Sequence, residues 1–135
     1  MANHDAVGVR CAHAGVCVSS EARAKLVFEE ILGLERTKDF QAPAGLIAAL
    51  FGVNEPARIL VYGTGCADVE VFISMAAAGR APGLSHLCLE CADRDGVVSR
   101  AAAAGFGVRR FARPDGSFII FIQDPDANLY EIKQA

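Results

Sequence analysis

Polar and apolar residues alternate in the first patterned stretch of the chain, Val9–Val18. One side of this stretch carries Ala12, Ala14, Val16 and Val18, and the other carries Cys11, His13, Gly15 and Cys17. A period of two predicts a β-strand with one covered face. The next segment, Glu21–Leu32, has apolar residues at helical spacing, with Ser20 able to cap it and Gly33 able to end it. It predicts a helix that covers the apolar face of the strand.

Strand patterns dominate the rest of the first half. Residues 34–40 predict a second strand, and the apolar segment 42–51 is compatible with a short helix. Residues 58–62 and 68–75 predict a hairpin. Its second strand has an apolar face made of Val69, Val71, Ile73 and Met75. Glu70 therefore stands on the opposite, polar face.

The second half repeats this order after a predicted linker at residues 76–83. The predicted elements are a strand at 84–91, a helix at 94–104, and strands at 108–112, 117–123 and 129–134. Phe118, Ile120 and Ile122 are expected in the core. Each half reads β-α-β-β-β, so the chain is predicted to be a single α+β domain, residues 1–135. Its two modules span about 7–76 and about 84–135.

Two histidines and two glutamates occupy corresponding places in the two halves. His13 and His86 open the modules, while Glu70 and Glu131 lie in the last strand of each. All four stand on the strand face opposite the apolar, helix-covered one. Taken singly, each is compatible with an ordinary solvated strand residue. Together, on sheets that face each other, they predict one shared site for Zn²⁺, Ni²⁺, Co²⁺, Fe²⁺ or Mn²⁺.

Composition and net charge argue against nucleic-acid binding and against a membrane span. With 135 residues, 53% hydrophobic content and a net charge of −3, the chain can fill a core but offers no basic face for nucleic acid. The amino terminus lacks a basic, apolar leader, and no apolar run approaches the roughly 20 residues of a membrane span. A cytoplasmic protein with five reduced cysteines is expected. Cys88 and Cys91 have redox-pair spacing, but residues three apart in a strand point to opposite faces.

Three segments resemble the vicinal-oxygen-chelate superfamily, which contains glyoxalase I, methylmalonyl-CoA epimerase, extradiol dioxygenases, and fosfomycin and bleomycin resistance proteins. They are His13–Val18, Phe28–Leu34 and, most specifically, the closing turn and strand Asp124–Glu131. The resemblance implies two βαβββ modules that form a curved mixed sheet around a shared metal-binding cavity. It places His13, Glu70, His86 and Glu131 at the four metal-ligand positions.

The resemblance also implies an activity. A complete set of four ligands, with glutamate at Glu70, looks more like glyoxalase I, a lyase or isomerase that enolises a small α-oxo thiol adduct. Glu131 or Glu70 would be the catalytic base, the substrate a small molecule, and the protein a homodimer. An epimerase, a metal-free binding or resistance protein, and an iron-dependent dioxygenase are the alternatives. Ala127 replaces the usual glycine of the closing turn, which costs little if Asn128 takes the left-handed conformation there.

Overall fold

The computed structural model describes residues 8–81 and 83–135. Three sequence-based expectations therefore fall partly outside the described residues. They concern the amino-terminal segment 1–5, the start of module one at Val7, and Pro82 in the linker. Within the described ranges, no helix combines the length and apolar character needed to cross a membrane.

Module one forms a four-stranded mixed sheet with two helices. Its elements are β1 (His13–Val18), α1 (Glu21–Ala24, continuing as a π-helical stretch, Lys25–Ile31), β2 (Glu35–Ala42), α2 (Ala44–Phe51), β3 (Ala57–Gly63), β4 (Asp68–Ile73) and a short 3₁₀ turn (Met75–Ala77). The strand order is β1-β4-β3-β2, with β1 parallel to β4. β1 starts four residues later than predicted because its partner strand begins at Asp68, which pairs with His13.

The first helix covers the apolar face of this sheet, as predicted. The Ser20 side chain accepts a hydrogen bond from the Arg23 backbone N–H at 3.1 Å, which caps the first turn. The helix then widens, and the Leu32 N–H donates to the Val27 carbonyl five residues earlier. This wider stretch buries Val27, Phe28 and Ile31.

Module two repeats the arrangement of module one. Its elements are β5 (Leu87–Cys91), α3 (Arg94–Ala103), β6 (Gly107–Ala112), β7 (Phe118–Gln123) and β8 (Leu129–Gln134). The order β5-β8-β7-β6, with β5 parallel to β8, matches that of module one. The α+β class and the two repeated modules are therefore confirmed. The strands form two separate sheets, and α2 is a helix that module two lacks within the described residues.

One core joins the two modules. It contains the helix-facing residues of both sheets together with the inward faces of α1 and α3. Phe28 of α1 stacks on Tyr62 of β3 at 5.2 Å between ring centroids and meets Tyr130 of β8 edge-on at 6.1 Å. The same aromatic side chain therefore links both sheets, and the modules form a single hydrophobic unit.

Two residues that were predicted to lie on buried apolar faces are exposed. Met75 is 71% exposed because the chain leaves β4 at Ser74, whose side chain caps the following 3₁₀ turn. Phe118 is 48% exposed because it is the first residue of β7, directly after the turn of the β6–β7 hairpin, whereas Ile120 and Ile122 are buried as predicted.

A second, smaller core lies on the other face of the module-one sheet. There α2 places Ile47 against Ile59 and Val61 of β3 and near Phe72 of β4. The equivalent face of the module-two sheet has no such helix among the described residues, and Phe111 of β6 is 68% exposed. The two sheets thus share a topology and differ in what covers the polar face.

Candidate functional site

The first histidine and glutamate meet on the polar face of module one. In the parallel pairing of β1 and β4, Gly15 lies opposite Glu70, so His13 is the diagonal neighbour of Glu70 on the same face. The His13 Nε2 atom lies 3.3 Å from Glu70 Oε2. The predicted correspondence therefore brings these two side chains into direct contact.

The second pair forms in the same way in module two. His86 lies just before β5, and its Nε2 atom is 3.6 Å from Glu131 Oε2 on β8. Its Nδ1 atom is 2.8 Å from the Leu84 carbonyl oxygen, which only accepts hydrogen bonds. Nδ1 therefore carries a proton, and in the neutral ring Nε2 presents its lone pair towards Glu131. Phe121 packs against the imidazole with its ring centroid at 5.1 Å.

Two neighbours of Glu131 were not given a role by sequence reasoning. Lys133 Nζ lies 4.0 Å from Glu131 Oε1, the oxygen that does not face His86. Cys88 pairs with Glu131 across the parallel strands. Desolvation and the charge of Glu131 raise the pKa of the Cys88 thiol, so the sulfur stays protonated at neutral pH. Lys133 lies two residues after Glu131 and Cys88 two residues after His86, so the alternation of a strand could have placed both on the same face as the predicted site.

The two pairs do not converge within one chain. Among residues 8–81 and 83–135, no three or more histidine, cysteine, aspartate or glutamate side chains are grouped to hold a metal ion. The reason is packing: the helix-covered faces of both sheets turn towards the shared core, so the faces that carry the ligands turn away from it. The donor set of imidazole nitrogen and carboxylate oxygen fits a divalent metal, and each pair brings together two of the four predicted donors.

A cleft of about 610 Å³ lies where the two modules meet. Ile47, Phe51 and Phe72 line it from module one, and His86 and Leu129 line it from module two. This volume is in the range that accommodates a small organic molecule. The cleft therefore brings an apolar surface to the edge of the second histidine–glutamate pair.

Arg80 and Cys17 contribute polar atoms to this cleft. Arg80 Nη2 donates to the Cys17 carbonyl at 2.9 Å and to Asn128 Oδ1 at 3.0 Å. Burial raises the pKa of the Cys17 thiol, and the nearby Arg80 charge partly opposes this shift. The arginine thus connects the end of β1 to the closing turn of module two.

That closing turn is organised by a buried carboxylate. Asp124 accepts hydrogen bonds from the backbone N–H groups of Asp126 and Asn128, each at 2.9 Å, and from the Tyr130 hydroxyl at 3.0 Å. Burial, followed by the charge of Asp124, raises the pKa of Tyr130 well above its usual value. The closing turn therefore has a structural role, because it fixes the start of the strand that carries Glu131.

The condition under which alanine would cost little in this turn is not met. Ala127 itself has a φ of 65°, in the left-handed region, and Asn128 does not. Asn128 instead uses its backbone and side-chain N–H groups to bind Asp124 and the Cys17 carbonyl. These bonds hold Asn128 in place and leave the left-handed position to its neighbour.

The cysteines are all free thiols. Cys88 is exposed, while Cys91 packs partly buried against the shared core. Their side chains lie on opposite sides of β5, as the alternation along a strand predicts.

Comparison with known proteins identifies the family. The sequence profile of the Glyoxalase/Bleomycin resistance protein/Dioxygenase superfamily matches residues 10–132. The chain belongs to this superfamily. The resemblance inferred from the three motifs is thereby confirmed, and no curated protein sequence matches the chain.

Solved structures similar to this superfamily member share its fold at low sequence identity. The fosfomycin resistance protein FosX from Listeria monocytogenes is 13% identical with a TM-score of 0.68, covering 94% of this chain and 93% of its own. A glyoxalase family protein from Enterococcus faecalis is 21% identical with a TM-score of 0.66, covering 91% and 95%. Lactoylglutathione lyase from Agrobacterium tumefaciens is 17% identical with a TM-score of 0.61, covering 93% of both chains.

Proposed function

We propose that this superfamily member is a metal-dependent lyase or isomerase of the glyoxalase type. It acts on a small α-oxo thioester or hemithioacetal-like molecule. The observation that carries the proposal is the contact of each histidine Nε2 with a carboxylate oxygen, at 3.3 Å for His13 and 3.6 Å for His86. An imidazole lone pair and a carboxylate oxygen both attract a cation, so each contact favours a shared proton or a bound metal ion.

The four ligands come together when two copies of the chain associate. Each polar sheet face presents only one histidine–glutamate pair, so a site with four donors requires the pair His13 and Glu70 of one copy and the pair His86 and Glu131 of a second. A twofold axis then generates two identical sites per homodimer. The exposed apolar residue Phe111 on the uncovered face of module two also favours burial against a second copy.

The chemistry assigned to the site is proton transfer at carbon. A divalent ion, when bound, supplies Lewis-acid stabilisation of negative charge on adjacent substrate oxygens. Mn(II) is present in one structure of the similar protein FosX from Listeria monocytogenes, which is 11% identical with a TM-score of 0.66. The preferred metal of this chain is among Zn²⁺, Ni²⁺, Co²⁺, Fe²⁺ and Mn²⁺.

Glu131 is the preferred base. Its side chain is 15% exposed against 25% for Glu70, so it is better shielded from water. It takes a proton from the carbon next to a carbonyl and returns it to the neighbouring carbon. Lys133 holds the other carboxylate oxygen, while the Leu84 carbonyl and the Phe121 ring fix the orientation of His86.

Metal binding and its location across two copies are tested by mixing variants. Wild-type protein, His13→Ala and His86→Ala are stripped, refilled with Co²⁺, Ni²⁺ or Zn²⁺, and analysed for bound metal. Each variant alone is expected to lose high-affinity metal. After unfolding and joint refolding, random pairing regenerates one intact site in half of the dimers, or about a quarter of the wild-type sites.

The experiment distinguishes failure of the metal-dependent function from failure of the site shared between two copies. Wild-type protein that takes up no metal contradicts the enzymatic function. Wild-type protein that binds metal, combined with a mixture that regains none, contradicts the site shared between two copies and places all ligands within one chain.

The base assignment is tested by comparing Glu131→Gln with Glu70→Gln. The fold should survive the first substitution because Tyr130 and Ile132, the neighbours of Glu131 on β8, supply the buried packing. We expect Glu131→Gln to reduce exchange of the substrate carbon-bound proton with deuterated water by roughly 100-fold or more, as measured by NMR. A larger loss in Glu70→Gln would assign the base to module one.

A second candidate is a metal-free small-molecule binding protein, and one observation favours it. The described residues of a single chain hold no complete metal site, while the cleft at the module junction already has the volume for a ligand. Binding of a hydrophobic dye by chelator-treated protein, with loss of binding in Phe51→Ala, would support this candidate. Binding only after metal addition would count against it.

A further inference from the structure

Two exposed cysteines lie at the end of the module-one sheet that carries the first histidine. Cys11 precedes β1 by two residues and Cys66 precedes β4 by two residues. Both are free and exposed, and both line one small pocket of about 330 Å³. Nothing in the proposed metal chemistry uses these thiols.

The start of the strand ladder brings together the two segments that carry the cysteines. His13 pairs with Asp68 in the parallel ladder, and the Asp68 N–H donates to the Ala12 carbonyl at 3.0 Å. Cys11 directly precedes Ala12, and Cys66 lies in the bend two residues before Asp68. Adjacent strands lie roughly 4.7–4.9 Å apart, which is within the Cα separation that a disulfide spans.

Both cysteines border the same small pocket, in which Ala12, Gly65 and Ala67 also take part. Thr64 holds the loop before β4, since its hydroxyl accepts from the Ala67 N–H at 3.2 Å and from the Cys66 N–H at 3.4 Å. The position of Cys66 is therefore fixed by hydrogen bonds.

We propose that Cys11 and Cys66 form a reversible intrachain disulfide when the protein meets a hydroperoxide. One thiolate attacks the peroxide oxygen, which gives a cysteine sulfenic acid and releases an alcohol, or water from hydrogen peroxide. The second thiol attacks that sulfur, forms the S–S bond and releases one water molecule. Two thiols are oxidised by two electrons, and one peroxide bond is reduced.

This modification site links the redox state of the chain to the strand that carries His13. Exposed disulfides are the readily reduced ones, so a dithiol should reverse the reaction. The inference is independent of the proposed metal function, because its readout is a covalent bond that forms with or without metal.

Peptide mapping tests the proposal on the full chain. Reduced wild-type protein and Cys17→Ser receive one equivalent of hydrogen peroxide, N-ethylmaleimide and then trypsin without reductant. Cleavage yields peptides 11–23 and 59–80, which contain Cys11 and Cys66. We expect these peptides to be joined, lighter than their sum by two hydrogens once the N-ethylmaleimide on Cys17 of the wild-type protein is counted, and separated by dithiothreitol. The Cys17→Ser control is needed because Cys17 lies in the same peptide as Cys11.

Three further results decide the assignment. Cys11→Ser and Cys66→Ser should each abolish the joined species, and a non-reducing gel should show monomeric chains. Joined peptides that involve Cys88 or Cys91, a disulfide between two chains, or only sulfinic acid at Cys11 would each overturn the proposal.

Discussion

The two modules have the same strand order and the same histidine–glutamate contact, but opposite surroundings for that contact. In module one, α2 packs Ile47 over Ile59 and builds a second core beside the ligand face. In module two, the same face is open and the half-buried Ile119 lies beside the exposed Phe111. The comparison shows that the repeated frame positions the two histidine–glutamate pairs, while inserted segments decide how much of the face remains available.

A matched pair of substitutions tests this difference and has the largest expected effect. Ile59→Ala removes a buried side chain beneath α2 and should lower the free energy of unfolding by about 2–5 kcal/mol. In a single copy of the chain, Ile119→Ala on the open face of β7 should cost roughly 1 kcal/mol or less. Urea denaturation at a fixed protein concentration measures both. Equal losses would mean that this face of module two is covered in solution, as the proposed homodimer requires.

A substitution in the closing turn of module two should have an intermediate effect and should stabilise the protein. Ala127 occupies a left-handed conformation with φ 65°, which glycine adopts without steric cost. Ala127→Gly should raise the free energy of unfolding by about 0.5–1 kcal/mol after the entropy of glycine in the unfolded chain is included. Thermal unfolding provides the measurement. Gly105→Ala, at a position with φ 82°, is the reverse control and should destabilise the protein.

The smallest effect concerns the contacts of arginine side chains. In module one, Arg58 bridges Glu21 and Asp39, and its hydrogen bonds lower the pKa of both carboxyl groups. In module two, Arg109 of β6 instead bonds the neutral Gln123 at 2.7 Å. Acid sensitivity from such ion pairs should therefore reside in module one.

The direction of the pH dependence of stability follows from the lowered pKa values. Stabilisation by Glu21 and Asp39 is complete above their ordinary pKa values and is lost as the pH falls through the lowered folded-state values. Glu21→Gln should flatten the dependence of stability on pH below about 4.5. Urea titrations at pH 3 to 6 measure this slope. Arg58→Gln should produce the same flattening, and an unaltered slope in both variants would contradict the ion-pair account.

The sequence predicted the parts of the fold that depend on local pattern. Alternation in β1 and β8 identified the face that carries His13 and Glu131, because a period of two assigns faces without knowledge of the partner strand. It could not show that both ligand faces turn away from one shared core. That arrangement depends on Phe28 meeting rings from two modules, a contact between distant residues that no local pattern encodes.

The candidate site shows the same division. Each histidine–glutamate contact follows from strand pairing, whereas Lys133 beside Glu131 and the Leu84 carbonyl beside His86 depend on side-chain placement in three dimensions. The left-handed conformation of Ala127, and not of Asn128, could not be predicted for a similar reason. The hydrogen bonds that hold Asn128 come from a carboxylate four residues away and from a carbonyl in the other module.

Those bonds across the modules limit how the two halves can change during evolution. The Ser19 N–H of module one donates to Asp126 at 2.9 Å, and Asn128 donates to the Cys17 carbonyl at 2.8 Å. The turn that leads into the second glutamate strand is therefore built partly by the first half of the gene. The first half contributes only backbone groups to these two bonds, so its side chains can change without breaking them, whereas replacement of Asp126 or Asn128 removes a partner from the contact between the modules.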